Sequence, residues 1–436
     1  MSLFSITNIP LSLYVHIPWC IRKCPYCDFN SHAAKQETLP EKRYIQALLE
    51  DLKNDAHWAQ GREIQSIFIG GGTPSLFSAE NIAYLLQNIA KIVKLKPNAE
   101  ITLEANPGTL EQGKFQAFRQ AGVNRLSIGV QSFQDHFLQT LGRIHNGKNA
   151  LKAVDQAQQA GFQHINIDLM FGLPQQSAQQ AQQDLQQAIA LAPDHISWYQ
   201  LTLEPNTFFY HHPPSLPEHD DIWKIQQLGE DTLINSGYNQ YEVSAWQQTK
   251  TIQSAECLHN RNYWEFGDYL AIGAGAHGKI SLQSDRGNNN HGQIDIKKID
   301  PQANMARTIE SSIGQIFRYS KPRHPRHYMQ TILENKTDIK RQRQVLEKQH
   351  LPFEFMLNAM RLSQGVAIST LFERTGLTLA QFEPALGCAV QKGLLKKEKG
   401  FLRTTPLGWQ FLDELTLLFI EDSFTLGDNK NARNDT

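Results

Sequence analysis

The chain has 436 residues, of which 40% are hydrophobic and 19% charged, and its formal net charge is −1. That length allows two or three domains, and the balanced charge excludes a molecule-wide field for polyanions. No run of about 18 apolar residues occurs, so no membrane-spanning helix is expected, and MSLFSITNIPLSLYVHIP lacks the basic n-region and small-residue cleavage site of a signal peptide. A cytoplasmic protein is expected. Thiols stay reduced there, so clustered cysteines point to metal or redox chemistry instead of disulfides.

Short apolar runs rich in β-branched residues occur at 12–18, 66–71, 100–106, 125–131, 164–172 and 195–202. Helical patterns at 41–60 and 78–94 lie between the first of them. Gaps of about 25–45 residues suit βα units, so an α/β fold is expected, a partial (β/α)6 barrel or a doubly wound sheet. Polar residues gather where these runs end: GGGTP after the second, EANPG after the third, Gln131 after the fourth and Asp168 in the fifth. Ligand sites of parallel α/β folds lie at such strand ends. SLQSDRGNNNHGQ (281–293) reads as a polar surface loop, and QRQVLEKQH as a linker or exposed helix. From Phe353 the pattern changes to helices at 353–362, 368–376 and 378–394, a basic hairpin around Lys399-Gly400 and a last helix at 408–420. This resembles a smaller winged-helix domain. The expected layout is a barrel with its extension over 1–280, a variable loop and linker over 281–350, the C-terminal domain over 351–421 and a disordered tail over 422–436.

Three of five cysteines, Cys20, Cys24 and Cys27, lie within CIRKCPYC. Structural zinc wants four protein ligands, and the nearest additional candidates are His16 and His32. A [4Fe–4S] cluster takes four cysteines as a rule. Three leave one iron open, which has a use if a small molecule such as S-adenosylmethionine (SAM) ligates it through its amino and carboxylate groups. The remaining SAM groups then have candidates. Gly70, Gly71 and Gly72 permit close backbone approach. Glu104 suits the ammonium, Arg143 the carboxylate, and Gln131 and Asp168 the ribose hydroxyls. Tyr14 would lie beside the cluster. Each has a plainer alternative: Glu104 and Asp168 as helix caps, Arg143 as a solvated charge.

CxxxCxxC with Tyr26 before the last cysteine, followed by GGGTP, resembles the radical-SAM superfamily. YVHIPWCIRKCPYCDF, IFIGGGTPSL, ITLEANPGT, LSIGVQSF, NIDLMFGLP and YLAIGAGAHG together resemble its oxygen-independent coproporphyrinogen-III-oxidase-like family. The resemblance implies a partial radical-SAM barrel followed by a winged-helix-like domain. It also implies SAM contacts at Tyr14, Tyr26, Gly71, Gly72, Thr73, Glu104, Gln131, Arg143, Asp168 and Thr202. Two branches compete. The oxidase branch has a cysteine two positions past the third and a longer N-terminal segment, whereas here Phe29 stands in that place and 19 residues precede Cys20. The heme-chaperone branch lacks both features and carries a motif present here as HNRNYW (259–264).

On that resemblance the expected function is a heme chaperone that passes heme to acceptor proteins, respiratory enzymes among them. It would carry a SAM-ligated [4Fe–4S] cluster and have no assigned catalytic residue. The alternative is a radical-SAM oxidative decarboxylase acting on coproporphyrinogen III. In the motif, His259 would ligate heme iron, Tyr263 and Trp264 would stack on the porphyrin, and Arg261 would pair with a propionate. Cys257 is a further ligand candidate. The plainer alternative is a structural histidine with Tyr263 and Trp264 in the core. A monomer–dimer equilibrium is one form that regulation by the cluster could take. The basic hairpin invites a nucleic-acid reading, but the chain has no pI extreme and no long basic patch, so none is expected. The stretch 281–314 looks longer than is usual for the family.

Overall fold

The computed structural model describes residues 6–34, 39–109, 113–249, 254–283, 313–334 and 342–420. The tail 422–436 and most of the 281–314 stretch lie outside them. Six parallel strands carry the first half: β1 (Leu11–Ile17), β2 (Ile64–Gly71), β3 (Leu95–Ala105), β4 (Arg125–Gln131), β5 (His164–Phe171) and β6 (His195–Gln200). Helices such as Glu41–Asp55 and Ala79–Ile92 connect them. Each strand is where the apolar runs placed it, and the order β1-β2-β3-β4-β5-β6 follows the chain. The expected α/β partial barrel, open and not closed, is what forms.

The sheet grows at both ends. After β6 come β7 (Tyr238–Glu242) and β8 (Ala245–Gln248), and β8 pairs antiparallel with β6. On the other side β9 (Asp268–Ile272) runs parallel to β1, followed by β10 (His277–Gln283), β11 (Ile313–Ser320) and β12 (Gln342–Val345), all antiparallel. The twelve strands form one sheet in the order β12-β11-β10-β9-β1-β2-β3-β4-β5-β6-β8-β7. Part of the stretch expected as loop and linker is therefore sheet. QRQV is a strand, because four extended residues beside β11 satisfy their backbone groups in the ladder.

Side chains alternate along each strand. Leu13, Val15, Ile67, Ile69, Leu103, Leu126, Ile128 and Ile167 point outward into the helices and are fully buried. The inward positions are polar: Ser127, Asn166 and His195 form one row by register, and Gly129, Asp168 and Ser197 the next. An apolar exterior and a polar interior make this half-barrel a container.

The C-terminal domain has its own core, with Phe355, Met356, Leu371, Leu386, Leu402 and Leu415 at its centre and Phe266 and Ile316 of the first domain joining it. Its hairpin turns at Lys399 and Gly400, both at positive φ. The helix expected over 378–394 is instead a 3-10 turn, Leu379–Phe382, followed by Ala385–Gln391, because Pro384 has no N–H to continue the first turn. The last helix divides at Phe411 into Pro406–Gln410 and Leu412–Leu417. Backbone bonds Val243 N–H to Arg361 O (3.1 Å) and Ser363 N–H to Tyr241 O (3.0 Å) tie this domain to β7.

One buried charge cluster locks the β1 edge. Asp268 accepts from Arg62 Nη1 (2.7 Å), Lys279 Nζ (2.9 Å) and the Ser281 N–H and hydroxyl (both 2.9 Å). Burial alone would push its carboxyl up, but Lys279 and Arg62 outweigh that and hold it below the usual carboxylate range. Its stabilisation is therefore full above the unfolded pKa and is lost as pH falls through the folded one. Asp268→Asn strands two buried cations and should cost about 3–5 kcal/mol. Urea melts at neutral pH check this, and a loss under about 1 kcal/mol would show the cluster to be dispensable.

Candidate active site

A cavity of about 430 Å³ runs from the cysteine loop down the inside of the half-barrel. Cys20, Cys24 and Cys27 line its mouth, each partly buried and unbridged. The loop is held where β1 ends. Trp19–Cys20 pairs in parallel with His32–Ala33, and Thr73 N–H donates to Trp19 O (2.8 Å). Burial drives the Cys20 thiol up to about 11 even with a hydrogen bond from Thr73, and burial also raises Cys27 beside Ser31. Buried thiols of this kind favour the deprotonated form only when a metal or another positive charge joins them.

His16, a candidate zinc ligand in the sequence, is instead the peg of this loop. It is buried, Nε2 donates to Asn30 O (2.9 Å) and Nδ1 accepts from the Tyr14 hydroxyl (2.9 Å). Burial lowers it to about 4, so it is neutral. The glycines after β2 answer to the same peg. A Cβ at Gly71, which has φ +115°, would lie 2.5 Å from the His16 ring, and one at Gly72 would lie 2.6 Å from Trp19 O. Their first reason for being glycine is the passage of the cysteine loop. Both also line the cavity.

Below the mouth, Gly71 N–H donates to Glu104 Oε2 (2.9 Å). Burial, and then Asp168 nearby, raise Glu104 to about 7. Asp168 accepts from Ser127 Oγ (2.9 Å) and Asn166 Nδ2 (2.7 Å), and burial still raises it to about 6. Arg143 spans the upper wall. It donates to Gly129 O (2.6 Å), reaches Cys24 Sγ at 3.7 Å, and its buried Nε has no partner among the described residues. Gln131 sits at φ +69° beside a register shift in β4, its amide oxygen accepting from Tyr199 (2.7 Å). Tyr26 lines the mouth. Two buried carboxyls ready to ionise and one buried guanidinium with a free N–H suit a small zwitterion. The cradle thus fits a ligand with an ammonium and a carboxylate.

Other expected residues lie elsewhere. Tyr14 does not line the cavity; its ring lies 6.4 Å from Phe68 and 6.2 Å from His259. Thr202 is exposed and donates to Glu204 (2.8 Å). The HNRNYW motif forms the helix Leu258–Trp264. His259 is 1% exposed, with Nδ1 bonded to Ser66 Oγ (3.3 Å) and Nε2 to Tyr263 Oη (3.0 Å). Burial holds it at about 3. Both ring nitrogens are thus engaged in hydrogen bonds in this structure. Tyr263 is packed edge-on to Tyr269 and away from the cavity, and Arg261 is tied to Glu265 and Glu256. Only Trp264 and Asn260 of the motif line the cavity. The wall residues the sequence reading missed are Ser127, Asn166, His195 and Ser197. Their signal is a polar residue at every second position of an otherwise apolar strand.

The radical SAM superfamily model matches residues 14–188, and that of the HemN C-terminal domain matches 346–411. The chain is 45% identical over 419 residues to the heme chaperone HemW of Haemophilus influenzae, covering 95% of this chain and 98% of that one. It is 44% identical to the Escherichia coli HemW (95% and 99% covered) and 30% identical to that of Bacillus subtilis (91% and 96%). Among solved structures, the radical-SAM coproporphyrinogen III oxidase HemN of Escherichia coli superposes with a TM-score of 0.74 at 21% identity, covering 95% of this chain and 91% of that one, which supports the fold. The chain belongs to the HemW family of radical-SAM proteins.

Proposed function

We propose that this chain is a heme chaperone that carries a SAM-ligated [4Fe–4S] cluster, works in the cytoplasm and hands heme to acceptor proteins. The observation that carries the cofactor part is the pairing of three thiols at one cavity mouth with Glu104, Asp168 and Arg143 directly beneath. The heme part rests on near-full-length similarity to proteins named for that role. Cys20, Cys24 and Cys27 would hold the cluster, Glu104 would face the SAM amino group, Arg143 the carboxylate, and Asp168 with Gln131 the ribose. Tyr26, Gly71, Gly72 and Thr73 would frame it. When bound, the pair supplies one-electron chemistry at the sulfonium. The protein's part is to hold the three thiols in register, exclude water with the apolar mouth residues and present a counter-charge. Phe29, 63% exposed at the mouth, stands where the oxidase branch has its additional cysteine.

Glu104 gives this reading a pH signature. A carboxyl raised to about 7 is protonated below neutrality, and it must lose that proton to attract the N–H groups of an iron-ligated amine and the positive charge of SAM. SAM affinity should rise with pH through about 7 and level off above it, weakening about tenfold per unit below. Calorimetry on cluster-reconstituted protein between pH 6 and 8 reads this directly. Glu104→Gln should bind more weakly and lose the slope, and a slope unchanged in that variant would move the amino group elsewhere.

The functional test is a paired anaerobic assay. Heme titration should develop a stoichiometric Soret band, while reductant, SAM and coproporphyrinogen III should yield no decarboxylated product. Formation of protoporphyrinogen would make the chain an oxidase. Cys24→Ala should lose the broad cluster absorbance and with it SAM binding. His259→Ala should melt several degrees lower yet keep its heme stoichiometry, since His259 is committed to Ser66 and Tyr263. A folded His259→Ala variant without a Soret band would put the iron on that residue.

A further inference from the structure

The cavity does not end at the SAM cradle. Its floor is built by Arg125 at the start of β4, Glu242 at the end of β7, Trp264 at the end of the motif helix, and Arg361 of the C-terminal domain. Arg125 is 2% exposed and Glu242 is 4% exposed. Four polar atoms of these residues are buried and lack a partner among the described residues: Arg125 Nη1, Arg361 Nε, Trp264 Nε1 and Glu242 Oε2. Every other bond they make is structural. Arg125 Nε pairs with Glu100 (2.9 Å) and its Nη2 donates to Ala255 O (2.7 Å) and Glu256 O (3.1 Å). The Arg361 guanidinium lies 4.5 Å over the Trp264 ring. A stranded buried donor costs about 1–3 kcal/mol, and a floor that holds three N–H groups idle is under strain that a ligand would relieve.

We propose that this floor is a second binding subsite, distinct from the SAM cradle, which takes a compact carboxylate through the N–H groups of Arg125, Arg361 and Trp264. The donors decide the class. Two are charged guanidinium N–H groups and one an indole N–H, and a carboxylate has two oxygens to accept them. Glu242 completes the set. Burial raises its carboxyl to about 7 despite Arg361 nearby, so a large fraction carries a proton that can be donated to the ligand's second oxygen. The position explains the C-terminal domain's contact with β7. The bonds that join Arg361 O to Val243 N–H and Ser363 N–H to Tyr241 O deliver the Arg361 side chain to the floor. It also gives the conspicuous Trp264 and Asn260 of HNRNYW a wall to line, whereas His259 holds the helix from behind.

The test uses full-length, cluster-reconstituted protein and two probes of one shape, propionate and propionamide. Saturation-transfer NMR and calorimetry should show saturable propionate binding of about millimolar strength and none for the amide. The binding should persist when SAM is added. Arg361→Gln and Trp264→Phe, each shown to be folded by circular dichroism and thermal melt, should weaken it about tenfold. Arg143 is intact in both variants, so a carboxylate seated at the cluster end would be blind to them. Equal binding of the amide, no binding of propionate, or undiminished binding in both variants would overturn the subsite. The inference does not rest on heme or on SAM. A wild-type protein that fails to bind SAM would sink the reading of the cradle and leave the propionate result to stand by itself.

Discussion

The site depends on how closely three pieces of backbone pass around one neutral histidine. His16 lies at the end of β1 with glycine on both sides. A Cβ at Gly71 would strike its ring, and a Cβ at Gly273 would lie 2.4 Å from its carbonyl oxygen. That carbonyl accepts from Tyr44 Oη (2.8 Å), which in turn accepts from Ala274 N–H (2.8 Å). The Nε2–H of His16 holds Asn30, and Asn30 Nδ2 reaches Ala274 O and Arg323 O (both 2.8 Å). The cysteine loop is thus clamped at its far end to the strand that starts the second glycine turn. Three thiols that must meet one rigid cluster need such a frame, because a loop free to move would spread their positions.

Inside the half-barrel the charges are set against their surroundings. Glu104 and Asp168 are buried without a partner cation strong enough to hold them at ordinary carboxyl values, and both are raised. Asp268 is the counter-example. Asp268 has Lys279, Arg62 and Ser281 around it, and it is lowered. A raised carboxyl is not a ligand signal by itself, since Asp184, bonded to Ser132 and Phe133 away from the cavity, is raised as well; Glu104 and Asp168 differ in lining the cavity. The floor repeats the pattern in the opposite sign, with guanidinium and indole N–H groups idle where Arg62 and Lys279 around Asp268 have theirs engaged.

Sequence legibility followed the same division. The six strands stood out since an outward face of Leu, Ile and Val leaves a repeating signature, and the cysteine loop stood out since three thiols at that spacing have few uses. Helix ends in the C-terminal domain were less legible: Pro384 and the bend at Phe411 break patterns whose apolar spacing runs on unbroken. QRQV was misread because a strand of four residues at a sheet edge takes its order from its neighbour and carries no pattern of its own. The directions of the HNRNYW side chains were illegible for a related reason. His259, Arg261, Tyr263 and Trp264 look like one ligand set in one dimension. Only the helix shows that His259 and Asn262 face the barrel wall while Asn260 and Trp264 face the cavity. Arg361 had no signal, since it reaches the floor from another domain.

The volume of the cavity then constrains where heme can travel. About 430 Å³ is room for a cofactor of modest size and little more. SAM in the cradle and a small carboxylate on the floor would fill it, so under the proposed function a porphyrin would need a place outside the barrel. The inner side of the cysteine loop presents the thiols to the cavity, and Ile21, Arg22, Lys23, Asp28 and Phe29 on the loop are exposed, Arg22 and Phe29 of them at the cavity mouth. The His16 clamp that fixes the thiols fixes this exposed edge as well.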